Sequence, residues 1–362
     1  MTDRQPKPNL SFLDIVDICD NAHIRLDKPH APFDTELLVP FHLEESRESP
    51  AVGLLRPVIV EQLKLENARA VERSSPEVWR IDAGDASTNG RPWVSFRNWF
   101  DTPLKRNEAM KELCERWRDS GLFPDVCGPT KWRAELYPVY KNPFGSHDYP
   151  ESNDNLKTLN YAFEMERSAC ALFGIVTYGV HLTIFEESGD GQDLRIWVPT
   201  RARTKPTWPG YLDNTVAGGI PSGMSPFESL VKECMEEASL DDRIARKHIR
   251  CTGAVSYFFR HACRTAAGWL QPEVEYVYDL SVPRGVDSAS FQPKPSDGEV
   301  ECFELLNQGE VIDRMRAGLF KPNCAIVLID LFIRRGIITP ENEPDYMEII
   351  TRLHGRFNYA SW

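Results

Sequence analysis

The chain has no apolar run long enough to cross a bilayer, and its first ten residues, MTDRQPKPNL, lack the apolar core of a secretory signal. They are also poor in the Arg and Ser of an organelle transit peptide, so the expected compartment is the cytoplasm. No block of Lys or Arg interrupts a composition whose net charge is −12 over 362 residues. That balance argues against a nucleic-acid surface. It does not exclude a small anionic substrate, because bound cations and local basic groups set the field inside a site. The nine cysteines are scattered, odd in number and without CxxC spacing. This excludes a disulfide frame or a zinc site of the usual kind and fits reduced thiols. The length allows two domains, each with a core.

What the chain does have is concentrated between Asp213 and Leu240, DNTVAGGIPSGMSPFESLVKECMEEASL. A glycine-rich loop feeds a short amphipathic helix. Ser225 is placed to cap it, Pro226 takes the first helical position, and Glu228 falls three residues after the cap. Phe227, Leu230, Val231, Cys234 and Ala238 recur at helical spacing and form the packing side. Glu233, Glu236 and Glu237 share the other side. Three carboxylates on one rigid face repel one another. Mg²⁺ relieves that repulsion, and Mn²⁺ also suits such hard oxygen ligands. The N–H groups of the preceding loop would favour an anion beside it. Taken alone, the glutamates also fit a merely solvated acidic face.

The whole stretch resembles the Nudix box: glycine, five residues, Glu, seven residues, then Arg-Glu-apolar-any-Glu-Glu-any-Gly-apolar. Gly218 opens it, Glu233, Glu236 and Glu237 keep the acidic places, and Leu240 closes it. Three positions depart: Met224 stands where the first Glu belongs, Lys232 replaces Arg, and Ser239 replaces the last Gly. Lys232 keeps the charge without the planar fork, and is expected to pair with Glu228 and Glu236, each four residues away. Met224 removes a carboxylate and is the serious departure.

The rest reads as alternating elements. SFLDIVDICDNA and residues 102–120 have helical patterns, LLRPVIVEQL (54–63) reads as a strand leading into a helix, and residues 94–99 look like a strand. Residues 74–92 read as loop. Residues 142–154, NPFGSHDYPESND, mark a boundary, with a helix expected over 159–172. GIVTYGVHLTIFEE and LRIWVPTRAR, separated by SGDGQD, predict a hairpin. His181 on its first strand reads as an ordinary strand residue, and Arg56, Arg97 and Trp99 as scaffold. Arg201, Arg203 and Lys205 alternate, so an extended chain would gather them into a basic patch for phosphate, or leave them as a solvated strand end. Trp208 could stack on a flat ring or cover the core. Tyr257, Phe258, Tyr276 and Tyr278 form an aromatic wall or simply core. Glu299 and Glu301 share a face late in the chain. An apolar helix near 322–336 has Asn323 as expected cap and Gly336 as stop.

LFGIVTYGVHL, RIWVP, TWPGYLDNTVAGG, DGEVECFELL and FKPNCA...DLFIRRG together resemble the thiamine-pyrophosphokinase-related Nudix subfamily, and RPVIVEQL and WRAELYPVY resemble its N-terminal domain. The resemblance implies an α/β fold: a Nudix α/β/α sandwich with a mixed sheet, preceded by a smaller α+β domain. The implied boundaries are 1–150 for the accessory domain, 151–172 for a linker and helix, 173–320 for the Nudix domain and 321–362 for C-terminal helices packed on it. It implies a Mg²⁺-dependent hydrolase (Mn²⁺ as substitute) cleaving small-molecule diphosphates of the thiamine type to monophosphate, with the oxy and oxo analogues preferred. It implies Glu233, Glu236, Glu237 and Glu301 as catalytic residues and Ala217, Glu233, Glu236, Glu237 and Glu299 as metal ligands. Arg201, Arg203, Lys205, Trp208, Gly218, Gly219 and Tyr257 are the expected substrate contacts. No nucleic acid, membrane or thiamine pyrophosphokinase domain is expected. Met224 leaves open a degenerate domain that binds a diphosphate or a protein without turnover, and general nucleoside diphosphate hydrolysis is a further alternative.

Overall fold

A computed structural model describes residues 9–22, 37–84, 90–151, 155–187, 193–261 and 268–357. The opening residues 1–8 and most of the expected turn at 188–193 lie outside them. Helix α1 (Phe12–Cys19) starts with Ser11 and Asp14 capping each other, and its Phe12, Ile15, Val16 and Cys19 are buried. Strands β1 (Val39–His42) and β2 (Ala51–Leu55) lead to helix α2 (Pro57–Glu72), whose proline sits in the tolerated first turn. Strands β3 (Trp79–Asp82) and β4 (Trp93–Phe96) complete a four-stranded sheet in the order β2-β1-β4-β3. β3 falls inside the stretch expected to be loop. Helix α3 (Pro103–Ser120), capped by Thr102 and ended by Gly121 in the left-handed region, packs Met110, Leu113 and Trp117 inward. Phe41, Trp79, Phe96, Trp117 and Phe173 form the centre of this first core, with Trp117 stacked on Phe173 at 5.7 Å. Arg97 is held by Glu45 and Glu77, and Arg56 lies over the Trp269 ring, so both serve as scaffold.

Strand β5 (Leu136–Tyr140) pairs antiparallel with β6 (Tyr161–Glu166). The helix expected over 159–172 is therefore a strand followed by a single 3-10 turn, Arg167–Leu172. Phe163 and Met165 enter the first core and Tyr161 the second, so both faces are covered. A strand buried on both sides has a continuous apolar run, and periodicity alone does not separate it from a helix.

The larger sheet is mixed. β7 (Thr177–Glu187) runs antiparallel to β8 (Leu194–Arg201), as the hairpin pattern predicts. The short β9 (Val216–Gly219) pairs antiparallel with β7. Helices α4 (Pro226–Ala238) and α5 (Asp242–His248) follow, then β10 (Arg250–His261) and β11 (Trp269–Ser281); β11 lies parallel to β7. β12 (Val300–Asn307) closes the order β10-β11-β7-β8-β12. Leu230, Val231, Cys234 and Ala238 of α4 pack on one face with Val180, Leu182 and Tyr278. Helices α6 (Gln308–Arg316), α7 (Pro322–Arg334) and α8 (Tyr346–Leu353) cover the other with α1. The result is an α/β/α sandwich with a mixed sheet. Asn323 does not cap α7: Lys321 holds that place, and Asn323 is buried inside the helix. Gly336 stops it in the left-handed region. Among the described residues no helix is long and apolar enough to cross a membrane.

The expected division at residue 150 is crossed twice. Helix α1 belongs to the sandwich, where the Leu10 N–H reaches the Arg316 carbonyl (2.9 Å), the Ala22 N–H the Phe258 carbonyl (3.0 Å), and Arg352 holds Asp17 and Asp20. The β5–β6 pair spans it as well. Between these strands His147 rests against Tyr140, Tyr178 and Tyr276, with ring centroids 4.6, 4.5 and 5.2 Å apart, so it docks the connecting loop onto the larger sheet.

Among the described residues neither His147 ring nitrogen has a hydrogen-bond partner, and burial, partly offset by Asp148, lowers the imidazole to about 4 from its usual 6.5. The neutral ring is the form the fold accepts. Its contribution is complete above pH 6.5 and is lost as the pH falls through 4, amounting to at most about 3 kcal/mol. Urea titrations at pH 7 and pH 4.5 should show a loss of stability in the wild type that His147→Phe reduces. Equal losses in both proteins would mean that His147 does not dock as a neutral ring.

Candidate functional site

The candidate site forms where β9 and its following loop meet α4. Ser225 accepts the Glu228 N–H (3.3 Å) and Pro226 starts the helix, as its sequence dictates. Ser239, in place of the pattern's glycine, ends α4 in the left-handed conformation (φ 51°). A serine tolerates that at a local cost of ~1 kcal/mol.

Two glycines determine how close the walls come. A Cβ on Gly218 would lie 2.3 Å from Glu233 Cγ and 2.4 Å from its Cδ. A Cβ on Gly219 would lie 1.6 Å from the Tyr137 hydroxyl. Successive strand residues face opposite ways. The glycine pair is therefore pinched between α4 on one side and β5 on the other. The Ser222 N–H donates to the Leu136 carbonyl at 2.8 Å and ties the box loop to β5.

Glu233 and Glu237 lie one turn apart on α4, with Glu237 8% exposed. Burial raises both carboxyls. For Glu237 the charges of Asp213 and Glu233 add to it, and against the pull of the Ala217 N–H and Lys205 the group reaches about 8. For Glu233, Lys232 opposes the shift, while Glu236, Glu299 and Glu135 add to it. The Ala217 N–H donates to Glu237 Oε2 (3.2 Å), which places Ala217 beside the carboxylates. Glu236 is half exposed and paired with Lys232 at 3.0 Å; Lys232 also approaches Glu233 at 3.7 Å. Lys232 does not take Glu228, because Arg246 grips that carboxylate with two bonds of 2.7 and 2.8 Å. A planar guanidinium fork outcompetes a single ammonium there.

The expected basic patch separates into three pairs. The chain turns after Arg201, whose guanidinium lies inward on Asp213 (2.5 Å) and on the Thr207 and Trp208 carbonyls. Arg203 is 80% exposed and meets Glu301 at 3.4 Å. Lys205 pairs with Glu299. Of the two late carboxylates, Glu299 is the one felt by Glu233. Glu301 accepts the Arg203 N–H (3.2 Å). Trp208 is half-buried, edge-on to Tyr211 at 5.0 Å. Tyr257 does not line an open wall: it is buried in the core beneath α7, its hydroxyl between Glu273 and Glu275. Phe258 and Tyr278 lie in the core on the α4 side, and Tyr276 packs against it.

Sequence reasoning passed over the network that supports these groups. His181 is buried beside a carboxylate: its Nε2 is 3.5 Å from Glu275 Oε2 and its Nδ1 2.7 Å from Asn214 Oδ1. Burial opposes the charge, and Glu275 overcomes it, raising the imidazole while its own carboxyl falls. Asp213 is held down to about 2; burial works against this, and Lys321 and Arg201 outweigh it. The available signal was Glu273 and Glu275 at inward positions of an otherwise apolar strand.

The donor set fits a hard divalent cation, since two repelling carboxylates share one buried face. Among the described residues no group of three or more His, Cys, Asp or Glu side chains is arranged to hold a metal ion. Lys232 and Lys205 explain this in part, because they engage Glu236 and Glu299. Glu233 and Glu237 would hold the cation, joined by Glu236 and Glu299 once those ion pairs exchange.

No family model matches the chain. An uncharacterised protein of Saccharomyces cerevisiae is 36% identical over 264 residues, covering 71% of this chain and 70% of the yeast protein. Nudix hydrolase 20, chloroplastic, of Arabidopsis thaliana is 36% identical over 266 residues, 73% of this chain and 62% of its own length. Nudix hydrolase 24, chloroplastic, of the same plant is 34% identical over 262 residues, with shares of 72% and 62%. The match spans less than two thirds of either plant protein. A solved NUDIX hydrolase from Alicyclobacillus acidocaldarius overlays 50% of this chain and 98% of its own at TM-score 0.31 and 12% identity, a likeness that carries no argument.

A carboxyl whose folded value lies above its ordinary 4.5 loses stability as the pH rises from 4.5 through 8. At pH 8.5 without metal, Glu237→Gln should therefore raise Tm by about 2 °C or more. Mg²⁺ should raise Tm in the wild type and have little effect in the variant. Equal Mg²⁺ responses in thermal melts of the two proteins would remove Glu237 from the cation site.

Proposed function

We propose that the chain is a Nudix hydrolase: a Mg²⁺-dependent hydrolase of small-molecule diphosphates, acting on thiamine-type substrates and favouring their oxy and oxo analogues. The observation that carries the hydrolase reading is the placement of buried Glu237 and half-buried Glu233 one turn apart on α4, against a glycine pair crowded by Glu233 and Tyr137. The thiamine assignment rests on the resemblance of segments outside the box.

When bound, a divalent cation neutralises the diphosphate, polarises it and lowers the pKa of a coordinated water. Glu233 and Glu237 hold that positive charge on one rigid face. Lys232 keeps Glu236 upright beside them. Glu299, the late carboxylate that acts on Glu233, is the proton acceptor we assign, available once its pair with Lys205 exchanges. The loop at Gly218 and Gly219 lets the diphosphate approach backbone N–H groups closely. Trp208 is the aromatic side chain left to meet a flat ring, since Tyr257 is enclosed.

Phosphate release measured with Mg²⁺ or Mn²⁺ on oxythiamine, oxothiamine and thiamine diphosphates and ADP should give the highest kcat/KM for an oxy or oxo form. A clear preference for ADP would remove the thiamine assignment and leave the hydrolase standing. Glu233→Gln should lower turnover at least about a hundredfold, on the order of 3 kcal/mol. Retention of near-wild-type turnover would move the chemistry elsewhere.

One observation favours a second reading, in which the domain binds a diphosphate without turnover. Met224 replaces a box carboxylate, and Lys232 engages the remaining exposed one. If Met224 merely lacks a helper, Met224→Glu should leave turnover equal or higher. Lower Tm with no gain in turnover would favour the binding-only reading, because the new charge would then be partly buried.

A further inference from the structure

The strand laid across the box belongs to the segment that precedes the sandwich, and it does not come bare. β5 is bonded to the box loop through Ser222 and Leu136, and Tyr137 places its hydroxyl where a side chain of Gly219 would be. Above the Tyr137 ring, 4.9 Å from its centroid, lies the Arg167 guanidinium. Arg167 Nη1 donates to Glu135 Oε2 at 2.8 Å. Arg167 is 42% exposed and Glu135 32%. The basic groups near β12 offer less. Arg201 is 12% exposed and fully engaged, Lys205 is 18% exposed and paired, and Arg203, at 80%, has Glu301 beside it and no ring beneath it among the described contacts. Arg167 combines solvent access with a fixed plane, and its partner Glu135 lies close enough to Glu233 and Lys232 to act on both.

We propose that Arg167, supplied by the segment ahead of the sandwich, binds a phosphate group of the substrate in this site, and that Glu135 holds its place in the ligand-free protein. The proposal rests on the diphosphate hydrolase reading. A guanidinium presents the same planar fork to a carboxylate and to a phosphate, so one can replace the other without moving the arginine. The Tyr137 ring keeps the plane fixed during that exchange. A solvent-exposed ion pair of this kind is weak and readily exchanged. Glu135 already acts on the acidic face: it adds to the upward push on Glu233 and to the positive charge held by Lys232. Its release from Arg167 would leave a free carboxylate facing the cationic side of the site. The departure at Met224 thus coincides with a carboxylate brought in from another part of the chain.

The test uses methylenediphosphonate, whose P–C–P link resists hydrolysis, with Mg²⁺ on the full chain. Calorimetry gives its Kd, and steady-state kinetics on the best diphosphate give kcat and KM. Arg167→Gln should raise Kd and KM about tenfold, the usual loss for one charge-assisted contact, with a smaller change in kcat. Arg167→Lys should recover part of the loss. Glu135→Gln should lower Kd, because the competing carboxylate is gone. A purely structural pair would behave differently: Glu135→Gln and Arg167→Gln would weaken binding alike and lower Tm together, and that result would overturn the proposal. So would wild-type affinity in Arg167→Gln, or no diphosphonate binding by the wild type. Failure of the hydrolase reading looks different again, as a wild type that binds the diphosphonate through Arg167 and turns over none of the diphosphates.

Discussion

The close approach of the Glu233 and Tyr137 side chains to the backbone at Gly218 and Gly219 is the constraint on which the site depends. Helix α4 can bring Glu233 down onto the sheet only because Gly218 has no side chain, and β5 can cross the far side only because Gly219 has none. A side chain at either position could be accommodated only if Glu233 or Tyr137 left its present place. The position of the acidic face, the wall opposite it and the path of the loop between them follow from this one pinch. Most of the remaining packing, including the cores on either side of the large sheet, serves to hold the three elements against it.

Electrostatics around the pinch follow a single pattern, in which nearly every charge is matched before a ligand arrives. His181 has Glu275, Arg201 and Lys321 have Asp213, Lys205 has Glu299, and Lys232 has Glu236. Removing one partner from the buried pairs would leave an uncompensated charge, so these positions are costly to change. Glu233 and Glu237 break the pattern. Lys232 lies 3.7 Å from Glu233 but pairs more closely with Glu236, and burial, with neighbouring carboxylates adding to it, raises both groups. The deficit lies on the acidic face that the box pattern of α4 marks.

Local features were legible in the sequence and long-range ones were not. The cap at Ser225, the proline at 226, the spacing of Glu233, Glu236 and Glu237 and the hairpin of β7 and β8 all depend on residues within a few positions of each other, and they appear as read. Arg201, Arg203 and Lys205 alternate in sequence, yet the chain turns after Arg201 and each finds a different carboxylate, two of them about a hundred residues away. Tyr257 could not be assigned a side, because strand phase fixes which residues share a face and tertiary packing decides which face is covered. The same limit turned β6 into an expected helix. Glu135, Tyr137 and Arg167 lie in a stretch whose composition is ordinary; only the pairing of β5 with β6 brings them to the box.

Helix α1 packs on α7 and α8, and the four-stranded sheet with its two helices lies between α1 and the rest of the sandwich in the chain. In the chain, the first sheet thus lies between two pieces that pack together, α1 and the C-terminal helices. Synthesis proceeds from the N-terminus, so Phe12, Ile15 and Val16 must wait for about three hundred further residues before their apolar faces are covered. Contacts of such separation slow folding and extend the time for which that surface is open to wrong partners. The smaller sheet, by contrast, can gather most of its core from residues 39–175, with Trp269 a late addition. The order of assembly is thus the reverse of the order of importance: the part that bears the site is begun first and finished last.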